Sequence, residues 1–338
     1  MKYFCFIILA LPLFGQNFSF EKLISNSKAS FRGLDVINKK IAWVSGTGGT
    51  VLKTSDGGNT WKNVSVPNSS DVDFRDIEVF DKNNAIVMGI SSPAKFYKTL
   101  NGGKTWELVY LNDHKDVFFD GMSFWNKMNG IAFSDPVDGE HFLIKTKDGG
   151  RTWKKIPSNG IPKKLETEYG FAASGTGIPV IGNKTVWLGM GGIKSRVFKS
   201  IDGGLNWIAV ETPLIHGGES TGIYSLTFKN KKIGVAVGGD YTNQKILNTM
   251  VFTEDGGRTW YLPENKVHEY RECVTHFKGD IFITVGPSGI DISKDNGKNW
   301  VIENRRIKNL TAIAFARNSG TGYAIGKNGS IFKVKAIN

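Results

Sequence analysis

An all-β fold assembled from repeated four-stranded units is what this sequence predicts, on three observations. The octapeptide Thr54-Ser55-Asp56-Gly57-Gly58-Asn59-Thr60-Trp61 returns five times, at residues 99–106, 146–153, 200–207, 253–260 and 293–300. The tryptophans that close the copies stand 45, 47, 54, 53 and 40 residues apart, a period that belongs to solenoids, propellers or arrays. Between copies the chain alternates apolar and polar residues in short runs bounded by Gly, Asn and Asp, which is strand patterning. Together these predict a seven-bladed β-propeller of four-stranded antiparallel blades, closed by sharing blade seven between the N- and C-termini.

At the N-terminus, Met1 and Lys2 precede an apolar run over 3–14 and then Gly15-Gln16. The run is shorter than the ~20 apolar residues a bilayer span needs, so residues 1–15 read as a secretory signal peptide and 16–338 as the propeller. The expected location is therefore exported, periplasmic or secreted, with no membrane span once the leader is removed. The chain carries +12, falling to +11 without Lys2, and Cys273 is then its one thiol, so a disulfide within the mature chain is excluded. No run of five like charges occurs, which argues against nucleic acid as a partner. The basic excess favours solubility and acidic partners.

The first repeat shows the unit most plainly. Residues 31–36 alternate, 41–45 are β-rich, 50–53 lead into the octapeptide and 61–66 leave it. Matching first strands begin near Phe74, Phe119, Phe171, Ile223, Tyr270 and Leu310, giving seven units for six octapeptides. The last unit has segments 310–315, 323–326 and 330–334 and then ends, so residues 18–23 are the expected fourth strand. Pairing the two ends removes exposed sheet edges. The widest insertions, 157–169 and 213–221, fall between blades.

In the octapeptide the paired glycines supply positive φ, the carboxylate accepts backbone N–H bonds and the indole lies between neighbouring repeats. The structural set is Asp56 with Trp61, Asn101 with Trp106, Asp148 with Trp153, Asp202 with Trp207, Asp255 with Trp260 and Asp295 with Trp300. The pattern resembles the Asp-box of the bacterial neuraminidase (BNR) repeat, which implies a fold and leaves activity open.

Propeller topology places first strands around the channel and puts the turns between second and third strands on the face opposite the Asp-boxes. Aligning the first strands brings Arg32, Arg75, Asp120, Ala172, Tyr224, Arg271 and Thr311 to one level near the channel mouth. Second-to-third loops add Asp135 and, from a later blade, Asp240 and Tyr241. This concave, charged and aromatic rim is the expected binding site. Arg32, Arg75 and Arg271 form an arc suited to a carboxylate or phosphate. The competing reading pairs these arginines with Asp76, Asp120 and Glu272 around a wet channel.

Asp135, Asp138 and Glu140 are hard-cation ligand types without the spacing of a known calcium loop. Strand alternation sends Cys273 and His276 to opposite faces, so with His268 they make no convincing zinc set. Neither a metal nor a cofactor is expected. No Gly-x-Ser-x-Gly elbow, Walker loop or His-Glu-x-x-His appears, and Gly46-Thr47-Gly48-Gly49 lacks the helix a dinucleotide site requires.

The run Phe31-Arg32-Gly33-Leu34-Asp35 and the stretch Ser45–Thr54 resemble the photosystem II stability and assembly factors, lumenal seven-bladed propellers without catalysis. Residues 74–76, 135–139, 171–176 and 238–241 are similar to bacterial WD40/YVTN/BNR-like relatives of that family. The resemblance implies a basic patch near the axis, mapped onto Arg32 and Arg75, and carries no implication, for or against, about a photosystem. Two functions follow. The first is an exported, non-catalytic propeller that binds a polypeptide or assists assembly of an envelope or membrane protein through its channel face. The second is a sialidase-like glycoside hydrolase, or another sugar-active propeller, acting on an acidic glycan, with Tyr224, Glu168, Glu272 and Asp120 as its chemistry. The Ile-Pro that usually follows the first arginine of sialidases is replaced here by Gly33-Leu34.

Overall fold

A computed structural model describes residues 17–90, 93–265, 269–317 and 319–337. The leader and His268 lie outside the described residues. Among the described residues the regular secondary structure is strand, apart from one 3-10 turn, Ser158–Gly160, and no helix is long and apolar enough to cross a membrane.

Each repeat folds into an antiparallel meander because its segments carry strand alternation and its turns carry glycine. The first sheet runs Phe31–Val36, Ala42–Gly46, Val51–Thr54 and Lys62–Asn63 in spatial order, and the same order recurs from Phe74–Val79, from Phe119–Phe124 and from Cys273–Lys278. Two further repeats touch through one residue pair, Gly191 with Gly222, and so form a single eight-stranded sheet. The sheet of Leu310–Phe315, Thr321–Gly326 and Ile331–Ile337 takes its outer strand from the other end of the chain. Asn17–Leu23 pairs antiparallel with Ile331–Ile337, Asn17 opposite Ile337 and Leu23 opposite Ile331.

Apolar residues fill the gaps between sheets, and the Asp-box tryptophans are the wedges. Trp106 meets Trp43 at 6.4 Å and Trp153 meets Phe96 at 5.5 Å, each ring backing onto the preceding repeat, while Trp61 meets Tyr323 of the C-terminal repeat edge-on at 5.6 Å. In the first box Thr54 Oγ1 accepts the Gly58 N–H at 2.9 Å, while Asp56 accepts the Thr60 N–H at 3.0 Å and its hydroxyl at 2.6 Å. Gly57 and Gly58 hold φ of 79° and 89°, where a Cβ would be strained. Hydrogen bonding holds the carboxyl of Asp56 down at about 2, and Asp148 and Asp255 also sit at about 2.

A further device is a lysine on the third strand that reaches the box of the next repeat. Lys145 Nζ donates to Gly203 O at 2.7 Å, Lys199 to Gly256 O at 2.8 Å and Lys333 to Gly57 O at 2.6 Å. The last of these joins the C-terminal repeat to the first box. Box turns also bond the turn between first and second strands, as in Gly57 N to Lys40 O at 3.0 Å and Gly203 N to Lys184 O at 2.8 Å. Both kinds of turn therefore share a face, and the turns between second and third strands are at the other end.

Candidate functional site

Inner strands set the site through a repeated register slip. Between Phe31 and Gly33, Phe74 and Asp76, Phe119 and Gly121, Ile223 and Ser225, and Leu310 and Ala312 the pairing with the second strand skips one residue. The skipped residues are Arg32, Arg75, Asp120, Tyr224 and Thr311. A bulge re-aims its extra side chain, so the sequence alignment correctly brought these five to one level.

Two members of that level are corrected. In the repeat beginning at Cys273, it is Glu272 whose N–H bonds Val285 O at 2.9 Å, beside the Cys273–Val285 pair. Glu272 therefore takes the level of Arg32. Arg271 falls one residue earlier, where other repeats place Phe31, Phe74 or Leu310, and is fully buried. Its Nε donates to Asp291 at 2.6 Å, and its Nη2 lies 3.0 Å from Glu269. Arg271 is thus an internal ion-pair residue and not part of a rim arc. Ala172 is displaced as well. The inner strand of its repeat is only Val180–Ile181, and backbone bonding to the second strand begins at Gly177, whose carbonyl accepts the Gly189 N–H at 3.1 Å, so Thr176 is the nearest match to the level.

Residues 170–176 instead run across the starts of several inner strands. Arg32 Nη1 donates to Ala173 O at 3.0 Å and to Glu272 Oε2 at 2.5 Å, while Arg75 Nη1 donates to Ala172 O at 3.1 Å and its Nε to Asp73 at 2.9 Å. Gly170 N donates to Asp135 Oδ1 at 2.8 Å, Ser174 Oγ to Glu272 O at 3.2 Å, and Thr176 Oγ1 bonds Ser225 Oγ at 2.6 Å. Phe171 stacks on Tyr224 with ring centroids 4.0 Å apart. The two arginine side chains keep 17% and 27% of their surface in solvent.

Burial pushes the Glu272 carboxyl up, against the pull of Arg32, Lys327 and Arg75. Lys327, in the exposed turn after Thr321–Gly326, is thus a further cation whose charge acts on Glu272. Sequence reasoning passed over it, although Gly326-Lys327-Asn328-Gly329 occupies the same second-to-third turn as Gly46-Thr47-Gly48-Gly49. Burial also drives Asp120 well above the carboxylate range and Asp135 to about 7. Tyr241 stands 59% exposed on the same face, and Asp240 caps its own turn through the Thr242 N–H at 2.7 Å.

The glycosidase cast is not assembled. Tyr224 is 4% exposed, its hydroxyl donates to Ser220 O at 2.7 Å, and burial raises its pKa, the reverse of what a nucleophile needs. Glu168 is fully buried and held by Arg196 at 2.6 and 2.5 Å. Asp120 lies under Gly170 with 1% exposure, and Glu272 is on Arg32. None of the four offers its reactive group to an open cleft.

Asp135, Asp138 and Glu140 diverge, toward Gly170 N, toward His114 at 3.5 Å and toward Ser158 Oγ at 2.8 Å. Cys273 is buried beside Thr176 Oγ1 at 3.8 Å, its thiol pushed up by burial, while the His276 ring bonds Gly279 O at 3.0 Å.

Fold and repeats define a BNR-repeat β-propeller. The chain resembles the photosystem II assembly factor: the sequence model of a family described as photosynthesis system II assembly factor YCF48 matches residues 15–117. Among solved structures, YCF48 bound to D1 peptide is 14% identical with a TM-score of 0.64, covering 98% of this chain and 100% of that one. YCF48 from Cyanidioschyzon merolae is 17% identical with a TM-score of 0.60, covering 93% and 98%. A catalytically inactive virginiamycin B lyase from Staphylococcus aureus with quinupristin gives 13% and 0.70, covering 95% and 100%. Identities this low speak for the fold alone. No curated protein matches the chain.

Proposed function

We propose that this chain is an exported, non-catalytic propeller that binds a polypeptide through its channel mouth and assists assembly of an envelope protein. The observation that carries the reading is the pair Arg32 and Arg75, partly in solvent, one on Glu272 and both on backbone carbonyls, with Lys327 nearby. Guanidinium groups fixed in this way lose little entropy when they meet an acidic group. The resemblance to YCF48, one structure of which holds a D1 peptide, supports a peptide as the class of partner. Export is supported by the leader-like residues 1–15.

The architecture we infer has seven blades, the last completed by Asn17–Leu23. It is supported by the pairing of that strand with Ile331–Ile337 and by the Lys333 bond to the first box. Deleting 17–23 is expected to expose the edge of Ile331–Ile337 and cause aggregation; a deletion variant that stays monomeric with an unchanged unfolding midpoint overturns the shared blade. For function, the chain from residue 16 onward is used as bait in an envelope extract. Capture of a polypeptide that disappears with Arg32→Ala and Arg75→Ala is expected, and undiminished capture by the double variant sinks the reading.

A further inference from the structure

The segment Gly170–Thr176 is fitted to the mouth more closely than a surface loop. Ala172, Ala173 and Ser174 are 5%, 4% and 3% exposed, and the segment reaches five inner strands by hydrogen bonds or close packing. Both its ends are anchored, by the Glu168–Arg196 pair before it and by Gly177 O on Gly189 N after it. Glycines make the fit possible. Gly175 has φ 72°, and a Cβ there would lie 2.3 Å from Asp76 Cγ; one on Gly170 would lie 2.3 Å from Asp120 Oδ2. On the box side, an axial cavity of about 530 Å³ has Ser174, Gly175 and Thr176 in its wall, so the axial space ends on this segment.

We propose that Gly170–Thr176 is a fixed strap that closes the axis and positions Arg32 and Arg75 for an acidic group of the partner. This rests on the polypeptide-binding reading. The strap takes Nη1 of each arginine on consecutive carbonyls, and Nη2 of each has no hydrogen-bond partner among the described residues. Arg32 thus keeps its Nε/Nη2 edge, which suits the two oxygens of a carboxylate, while Arg75, held at Nε by Asp73 and at Nη1 by Ala172 O, keeps Nη2 as a single donor beside it. A partner binds on top of the strap and does not thread the channel. The residues of the strap are positioning residues: they act through the arginines.

The test reads the guanidinium groups in the full chain by arginine-selective nitrogen NMR. Held at Nη1, Arg32 and Arg75 are expected to rotate slowly about Cζ–Nε and to show resolved Nη1 and Nη2 signals. In Gly175→Ala those signals should merge, while Arg271, gripped by Asp291 away from the strap, stays resolved and reports an intact fold. Thr176→Val, which keeps shape and loses the Ser225 bond, should broaden them to a lesser degree if the glycine variant fails to fold. Signals already averaged in the parent chain, or unmoved in both variants, overturn the strap's role. An acetylated hexaglutamate peptide is the ligand probe. Shifts confined to Arg32 and Arg75 Nη2, with amide exchange of residues 171–176 unchanged, are expected. Loss of exchange protection in the strap on adding peptide shows that it is displaced and overturns the proposal. Resolved, strap-dependent arginine signals in a chain that captures no polypeptide from extract keep the strap and discard the function it was said to serve.

Discussion

Arg32 and Arg271 each follow an aromatic residue near the start of an inner strand, Phe31 in one repeat and Tyr270 in the other, yet they end in opposite environments. Arg32 takes the bulged position, keeps 17% of its side chain in solvent and shares Nη1 between Ala173 O and Glu272. Arg271 takes the preceding position, where the side chain enters the space between sheets. It survives there because Asp291, also fully buried, and Glu269 match its charge, and Arg305 Nη1 approaches the other oxygen of Asp291 at 2.8 Å. A displacement of one residue along a strand therefore separates a candidate ligand-binding group from an internal ion pair. What decides is the register slip and the supply of acids, not the local tripeptide.

The comparison breaks most sharply at Arg271. Arg271→Ala leaves Asp291 buried with only Arg305, 29% exposed, to answer it. Removing one partner of a buried pair costs about 3–5 kcal/mol, so urea unfolding should show a large drop in midpoint. A loss below that of Arg32→Ala would mean that the two environments have been exchanged.

Arg32→Ala comes next. Glu272, with 7% of its side chain exposed, loses its nearest cation but can take up a proton, since burial already raises its pKa. The expected cost is about 1–3 kcal/mol, the range for leaving a buried polar group unsatisfied. The loss should shrink as pH falls and Glu272 becomes neutral. A loss independent of pH would show that the Ala173 carbonyl, not the carboxylate, is the important partner.

Much of this was legible in the sequence, and the limit is physical. Six boxes and strand alternation indicate the repeat, and the unmatched residues 18–23 indicate the strand that pairs with the C-terminal segment. Arg32, Arg75, Asp120 and Tyr224 were placed at their common level because their repeats share the same slip. Arg271 and Ala172 were misplaced because alignment by aromatic residues assumes that every repeat spends the same number of residues before its inner strand. The repeat after residue 157 spends more, and the excess becomes the crossing segment. No local pattern encodes that crossing: Phe171-Ala172-Ala173 reads like the start of a strand until its carbonyls are seen on arginines two and three repeats away. Lys327 was missed for the opposite reason, being an ordinary turn lysine whose significance is its neighbours.

The boxes and the buried carboxyls of Asp35 and Asp135 respond to acid in opposite senses, which extends the contrast from arginines to acids. Asp148 and Asp255, at about 2 when folded, contribute stability that is present above the ordinary aspartate range and lost as pH falls through it toward 2. Asp35, raised to about 6 by burial, and Asp135, raised to about 7, hold protons in the folded state that the unfolded chain has released. Their contribution is greatest below the ordinary range and declines as pH rises from about 4 through 6 to 7. Thermal unfolding should therefore show a maximum on the acid side of neutrality. Asp35→Asn should flatten the decline above pH 5, whereas Asp202→Ala, costing about 1–2 kcal/mol in lost turn bonds, should lower the curve at neutral pH and converge with the parent as pH falls.

Arg75→Ala is the smallest expected change in stability and the most useful for function. Its ion-pair partner Asp73 is 23% exposed and can be solvated when the arginine goes, and exposed pairs are worth about 0–1 kcal/mol. The Ala172 carbonyl loses one bond, while the strap keeps those from Arg32, Gly170, Ser174 and Thr176. An unfolding midpoint close to that of the parent, together with clearly weakened capture of a polypeptide, would set Arg75 beside Arg32 as a binding group and apart from Arg271 as a structural one. A midpoint that falls as far as it does for Arg32→Ala would instead make Arg75 a clamp on the strap, and the binding role would then rest on Arg32 and Lys327.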